Sequence, residues 1–301
     1  MGHNHHHHHQ VKGKNLFLTI ILNIIITVAQ IVGGLISGSL ALLSDALHNF
    51  SDVLALVIAY GANRLAARES SATKTFGFKR AEIISALFNT SVLMAIAIYL
   101  IVESVDKFLN PQPVASLWVI GLGLLSIVLN TLSVLLIKDD AHNNMNIKAA
   151  YLHLLTDVMT SVAVLVGGIL IYYFDFFWID PLISILIAVY LIKASWGLVK
   201  ASISVLMQFA PSDIDMQELT QAIENSDDKI KKIHHIHLWQ LDDHRIHLEA
   251  HLDFNTDITL QASNLVIDTL EKLVEERFGI THVLFQCEYK RCDEKQEMWQ
   301  C

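Results

Sequence analysis

Two short stretches of this 301-residue chain carry the same pattern of ionisable residues, His48-Asn-Phe-Ser-Asp52-Val and His153-Leu-Leu-Thr-Asp157-Val. Both read H-x-x-[ST]-D-V, and both interrupt long apolar runs. Four-residue spacing puts each imidazole and its carboxylate on one face of a helix, one turn apart. Together the two pairs make a two-nitrogen, two-oxygen donor set suited to tetrahedral Zn²⁺. With no thiolate, such a set disfavours soft Cu(I) and fits a site that must also release its ion. A plain pair of buried His–Asp hydrogen bonds between helices would leave the duplication unexplained. Asp45, three residues before His48, reads either as a supporting or pathway group or as a polar residue near a helix end.

The elements that carry these residues follow from charge and hydropathy. The chain is 53% hydrophobic and only 17% charged, below the ~25% of an ordinary soluble domain. Residues 1–205 hold 12 Lys/Arg and 11 Asp/Glu, whereas residues 206–301 hold 9 and 19. The reading is a membrane region followed by an acidic soluble domain, and the acidity argues against a nucleic-acid partner. A helix needs ~20 mostly apolar residues to span a bilayer. Six such helices are expected, at about 15–36, 40–63, 82–107, 114–137, 146–174 and 179–205. A Gly-Ser turn divides the first two, and Asn110-Pro111-Gln112-Pro113 separates the third from the fourth. Lys193 and Lys200 interrupt the sixth and are expected to snorkel to the interface.

Six spans put both termini on one side. That side collects Lys12, Lys14, Arg64, Arg68, Lys74, Lys79, Arg80, Lys138, Lys148, Lys193 and Lys200, against Lys107 alone opposite. The positive-inside rule therefore makes both termini cytoplasmic, and no cleaved signal peptide is expected. His48 and His153 each lie ~8 residues from a helix end, which is ~12 Å into a ~30 Å core and so near its midplane.

Beyond Pro211 a helix is expected at Ser212–Asn225 with Ser212 as N-cap, then strands at Lys232–Leu241 and His244–Phe254. A helix at Leu260–Phe278, ending before Gly279, and a strand at Thr281–Tyr289 complete an α-β-β-α-β order with helices on one face of a small sheet. Period-two alternation puts Ile246, Leu248, Ala250, Leu252 and Phe254 on one face of the second strand, with His247 and His251 on the other. It pairs His235 with His237 on the first strand, opposite His234, and pairs His282 with Glu288 on the last. Cys287, Cys292 and Cys301 cluster near the C-terminus; a reducing cytosol disfavours a disulfide, and Cys292 or Cys301 could supply a thiolate to a metal. The run His5–His9, with His3, is either a tag or a metal-capturing tail.

The sequence resembles the cation diffusion facilitator family, in particular its zinc-transporting branch of bacterial zinc, cobalt and cadmium efflux proteins. The resemblance rests on the paired motifs and on Ser39-Leu-Ala-Leu-Leu-Ser-Asp-Ala-Leu-His48, Phe76-Gly-Phe-Lys-Arg-Ala-Glu82, Asn146-Ile-Lys-Ala-Ala-Tyr-Leu-His153 and Ile280-Thr-His-Val-Leu-Phe-Gln-Cys-Glu288. It implies a six-helix transmembrane transport domain over 15–205, after a His-rich tail at 1–14. It also implies a cytoplasmic, metallochaperone-like metal-binding and dimerisation domain over 206–301. The implied protein is a homodimer in the cytoplasmic membrane that exports Zn²⁺ in exchange for H⁺, with His48, Asp52, His153 and Asp157 as the transport site. A second Zn²⁺ site, regulatory in role, is expected at His237, His251, His282 and Glu288, with His234, His247 and Cys292 as alternates and Asp45 as an alternate near the transport site. Two departures from relatives are expected: no metal site in Ala66–Thr75, which lacks His, and a short Lys138–Ile147 loop with only His142. An enzyme is not expected, since four ligands would fill the zinc shell and no H-E-x-x-H occurs. A metal sensor or store that used only the acidic domain would have no need of a midplane site.

Overall fold

The computed structural model describes residues 13–141, 145–242 and 245–291. The His-rich N-terminal run, His142, Cys292 and Cys301 lie outside the described residues. Six long helices come first: α1 (Gly13–Ser37), α2 (Leu40–Ala66), α3 (Ala81–Leu109), α4 (Ser116–Ala141), α5 (Met145–Phe174) and α6 (Ile179–Leu206). Five of them contain stretches long and apolar enough to cross a membrane, and the described apolar part of α1 is Ile21–Ser37. Their outward surface is rich in large apolar side chains, among them Val28, Leu35, Val57, Val102 and Leu186. That surface suits lipid, where only helices or closed barrels satisfy every backbone hydrogen bond.

The turn between α1 and α2 is tight. Gly38 turns the chain between α1 and α2 at φ +70, and Lys107 Nζ donates to its carbonyl at 2.8 Å. The expected Lys138–Ile147 loop is a correction: α4 continues to Ala141 and α5 begins at Met145. A helix satisfies its own backbone, so it can run past the apolar segment into water, and hydropathy marks the lipid boundary rather than the helix end. α5 lies close along α4. A Cβ on Gly168 would meet Val119 Cγ1 at 3.0 Å, so the small residue sets the approach.

The described residues form two compact units. One comprises α1, α4, α5 and most of α2, α3 and α6; the other joins the C-terminal domain to the α2–α3 connection and the adjoining helix ends. The C-terminal elements are α7 (Met216–Glu224), β1 (Ile230–Asp242), β2 (Arg245–Phe254), α8 (Leu260–Phe278) and β3 (His282–Glu288). The sheet order is β1-β2-β3, with β1 antiparallel and β3 parallel to β2. Leu219, Ile223, Ile233, Leu248, Leu252 and Leu270 build the core between the helices and one sheet face.

α7 starts at Met216 with Asp215 as N-cap, not at Ser212. Asp215 Oδ1 accepts from Gln217 and Glu218 N–H at 2.8 and 3.3 Å, which meets two of the unpaired donors of the first turn. α8 ends as expected: Gly279 takes φ +67 and its N–H bonds to the Glu275 carbonyl at 3.0 Å, the αL closure, and Ile280 N–H reaches the Val274 carbonyl at 3.2 Å.

Candidate metal centres

The first centre is built by α2 and α5, whose i,i+4 repeats point at one another. His48 Nε2 lies 3.5 Å from Asp157 Oδ1, and His48 Nδ1 lies 3.6 Å from Asp52 Oδ2. His153 Nε2 is 3.1 Å from Asp52 Oδ2 and 3.8 Å from Asp157 Oδ2. Donor atoms of His48, His153 and Asp157 all fall within 4.8 Å of one another, and the two imidazoles meet edge-on at 5.5 Å. Tetrahedral Zn²⁺ with ligands at ~2.0–2.1 Å spaces its donors ~3.3 Å apart, so the separations found here suit such an ion with small adjustments.

Unmet bonding capacity marks the same place. Both Asp157 carboxylate oxygens and His48 Nδ1 are buried without a hydrogen-bond partner. An ionised carboxylate in that condition is costly unless a cation faces it. The cage is uneven in exposure: the Asp157 and His48 side chains are 1% and 8% accessible, against 25% for Asp52 and 42% for His153. Asp45 stands apart from the four. It is fully buried, and its oxygens are engaged by Gln30, Thr160 and Ser161.

The second centre lies on the outer face of the sheet, away from its helices. Glu288 Oε2 is 3.4 Å from His234 Nε2, and Glu288 Oε1 is 3.2 Å from His251 Nδ1. The His234 and His251 rings are 5.3 Å apart, and His235 lies 4.7 Å from His251. Of the expected quartet, the structure brings together His251 and Glu288, and it substitutes His234 for His237 as their companion. His237 pairs in register with Glu249 and lines a cavity of about 580 Å³ with Met207, Met216 and Trp239. His282 sits 4.7 Å from His247 instead, and His247 stacks on Trp239 at 5.4 Å and meets Phe76 at 5.8 Å.

A β-bulge causes this rearrangement. The β1–β2 register shifts between His234 and His237, and His235 adopts φ +50. One inserted residue puts His234 and His237 on the same side, because strict alternation fails across the bulge. The signal was present in the apolar spacing. Ile233 and Ile236 are both core residues, three positions apart where a regular strand allows two or four.

Burial lowers the pKa of His251 below the ordinary imidazole value, and His235, His234 and Arg291 add to this against the opposing pull of Glu288. His247 is lowered likewise by burial, then by His282 and Arg245, against Asp242. Both imidazoles therefore remain neutral, the ligating form, at pH values where an ordinary His is charged. A group with a depressed basic pKa binds fewer protons folded than unfolded, so its contribution to stability falls as pH drops through the unfolded value. The share of stability that His251 and His247 contribute is thus expected to fade between about pH 7.5 and about pH 5.5, across the ordinary His value near 6.5. His251→Gln should flatten part of that slope in a thermal unfolding series; an unchanged slope would discount the burial of His251.

Residues 16–207 match the family model of the cation efflux transmembrane domain, and residues 211–290 match that of the cation efflux protein cytoplasmic domain. The chain is 35% identical over 293 residues to a cadmium, cobalt and zinc/H(+)-K(+) antiporter of Bacillus subtilis, covering 96% of this chain and 92% of the relative. It is 32% identical over 298 residues to the zinc transporter ZitB of Pectobacterium atrosepticum, covering 98% and 91%. Against the metal cation efflux system protein CzcD of Cupriavidus metallidurans it is 31% identical over 293 residues, covering 97% and 92%.

Proposed function

Since this chain belongs to the cation efflux family, we propose that it exports Zn²⁺ from the cytoplasm by Zn²⁺/H⁺ antiport through the His48, Asp52, His153 and Asp157 cage. The carrying observation is the pair of buried, unpartnered Asp157 oxygens set against imidazoles from two helices. A fixed structural cross-link would satisfy those oxygens with donors, whereas a transport site leaves them for an ion.

Exchange follows from the ligand chemistry. Imidazole and carboxylate bind metal only when deprotonated, so protons arriving from the far side displace Zn²⁺ and reset the cage. A site near the bilayer midplane, between helices that can rock, is the arrangement alternating access requires. Four protein ligands leave no open coordination position for hydrolytic chemistry, which favours carriage over catalysis.

The remaining assignments complete this reading. The chain functions as a homodimer in the cytoplasmic membrane, with both termini and the C-terminal domain in the cytoplasm, as the distribution of Lys and Arg favours. Zn²⁺ at His234, His251 and Glu288 acts as a regulatory ligand, biasing the conformation it binds more tightly. Borderline ions such as Co²⁺ and Cd²⁺ compete for the same imidazoles.

Purified full-length protein in proteoliposomes provides the test. An acidic lumen should accelerate Zn²⁺ uptake, and collapse of the gradient should return uptake to the exchange rate without a gradient. Cd²⁺ and Co²⁺ added outside should compete. Absence of metal flux under either gradient would overturn the proposal.

A further inference from the structure

Asp45 lies on α2 three residues before His48, so one helical turn separates it from the cage. Its side chain is fully buried, and three donors from two other helices converge on it. Gln30 Nε2 on α1 donates to Oδ2 at 2.6 Å, Ser161 Oγ on α5 donates to Oδ2 at 3.2 Å, and Thr160 Oγ1 on α5 donates to Oδ1 at 2.8 Å. These contacts reach the backbone of one cage residue and the sequence neighbour of another. Thr160 Oγ1 also lies 2.9 Å from the carbonyl oxygen of Asp157, and Gln30 Oε1 accepts from Asn49, the neighbour of His48, at 3.3 Å. Ser161 continues the chain to Ser126 on α4 at 2.7 Å.

Donors reach both oxygens, so this carboxylate is tied to α1 and α5 rather than turned free toward the cage. We propose that Asp45 is a positioning residue that fixes the α2–α5 separation at the metal cage and so makes the cage select against ions larger than Zn²⁺; this rests on the cage being the transport site. Charge-assisted hydrogen bonds in a dry interior are short, directional and costly to break. They are the kind of strut that holds two helices at one distance while the ligands nearby exchange their ion. Donors already separated by 3.1–3.8 Å close onto Zn²⁺ readily. A larger divalent ion such as Cd²⁺ pushes α2 and α5 apart, against the strut.

The test compares Zn²⁺ and Cd²⁺ uptake by inverted vesicles carrying the full-length protein. Asp45→Ala should raise the KM for Zn²⁺ ~10-fold or more, as loss of an outer-sphere support does elsewhere. It should also raise the Cd²⁺/Zn²⁺ ratio of kcat/KM. Asp45→Asn keeps the shape and one acceptor, and it should restore much of both values. Thr160→Val and Ser161→Ala each remove one strut and should move the selectivity ratio in the same direction by less. They supply the answer if Asp45→Ala fails to fold.

A folded Asp45→Ala with wild-type KM and ratio would overturn the clamp, as would an equal fall for both metals. His48→Ala and Asp157→Ala, run in parallel, separate the two ideas. If they transport Zn²⁺ normally, the cage reading fails; if they are inactive while Asp45→Ala is unchanged, the clamp alone fails.

Discussion

Asp157→Ala is expected to reduce Zn²⁺ uptake by inverted vesicles to background, a loss beyond the ~10–100-fold typical of an outer-sphere partner. The same change should leave the metal-free protein as stable as the parent, or more so. The Asp157 carboxylate is fully buried, accepts no hydrogen bond, and faces the His48 and His153 imidazoles at 3.5 and 3.8 Å. Burying a carboxylate that faces imidazoles without a hydrogen bond costs desolvation that an apolar side chain does not. Function and stability therefore move in opposite directions. Vesicle uptake measured alongside thermal unfolding of the metal-free protein in detergent decides the matter. Retained uptake, or a collapse of the folded state, would remove Asp157 from the cage.

Asp180→Ala should have the opposite outcome for stability. Asp180 is also buried, at the start of α6, but its carboxylate is fully used. It accepts from the Ser39 hydroxyl, from Leu40 N–H at 2.6 Å and from Ala41 N–H at 3.4 Å. The side chain thus caps the first turn of α2 from another helix, where the unpaired backbone donors and the helix dipole both favour an anion. Its removal leaves those donors buried with nothing to meet them, at a cost of ~2–4 kcal/mol. The expected result is a lower thermal midpoint and a smaller folded yield, with Asp180→Asn partly restoring both. A midpoint unchanged in Asp180→Ala would show that water or another group takes over the cap.

These two carboxylates show where sequence reasoning was sufficient and where it stopped. Asp157 was legible because it belongs to a pattern: H-x-x-[ST]-D-V occurs twice, and i,i+4 spacing alone dictates a common helix face. The six apolar helices and the α-β-β-α-β order were legible for the same reason, since hydropathy and periodicity are local properties. α8 runs over Leu260–Phe278 as expected, closed by Gly279. Asp180 has no pattern around it. Its role depends on Ser39 and Leu40, some 140 positions away, and no periodicity reports a contact of that kind. Gln30 as a partner of Asp45 was hidden in the same way. The second centre was legible in part: His251, Glu288 and the alternate His234 come together, without His237 and His282. Its residues were named, but the bulge at His235 changed which of them face one another. A side-chain face is a count of residues, and a single insertion changes every assignment beyond it.

The unequal exposure of the four cage residues has a mechanical meaning. His48 and Asp157 are buried, as is the neighbouring Asp45, while Asp52 and His153 remain partly accessible. If the cage is the transport site, an ion arriving by way of Asp52 and His153 would reach the buried His48 and Asp157 last, on the helices that the Asp45 hydrogen bonds tie together. Loosening those bonds would then weaken retention of the ion as well as selection of its size, and proteoliposomes carrying Asp45→Ala should lose preloaded Zn²⁺ faster than those carrying the parent.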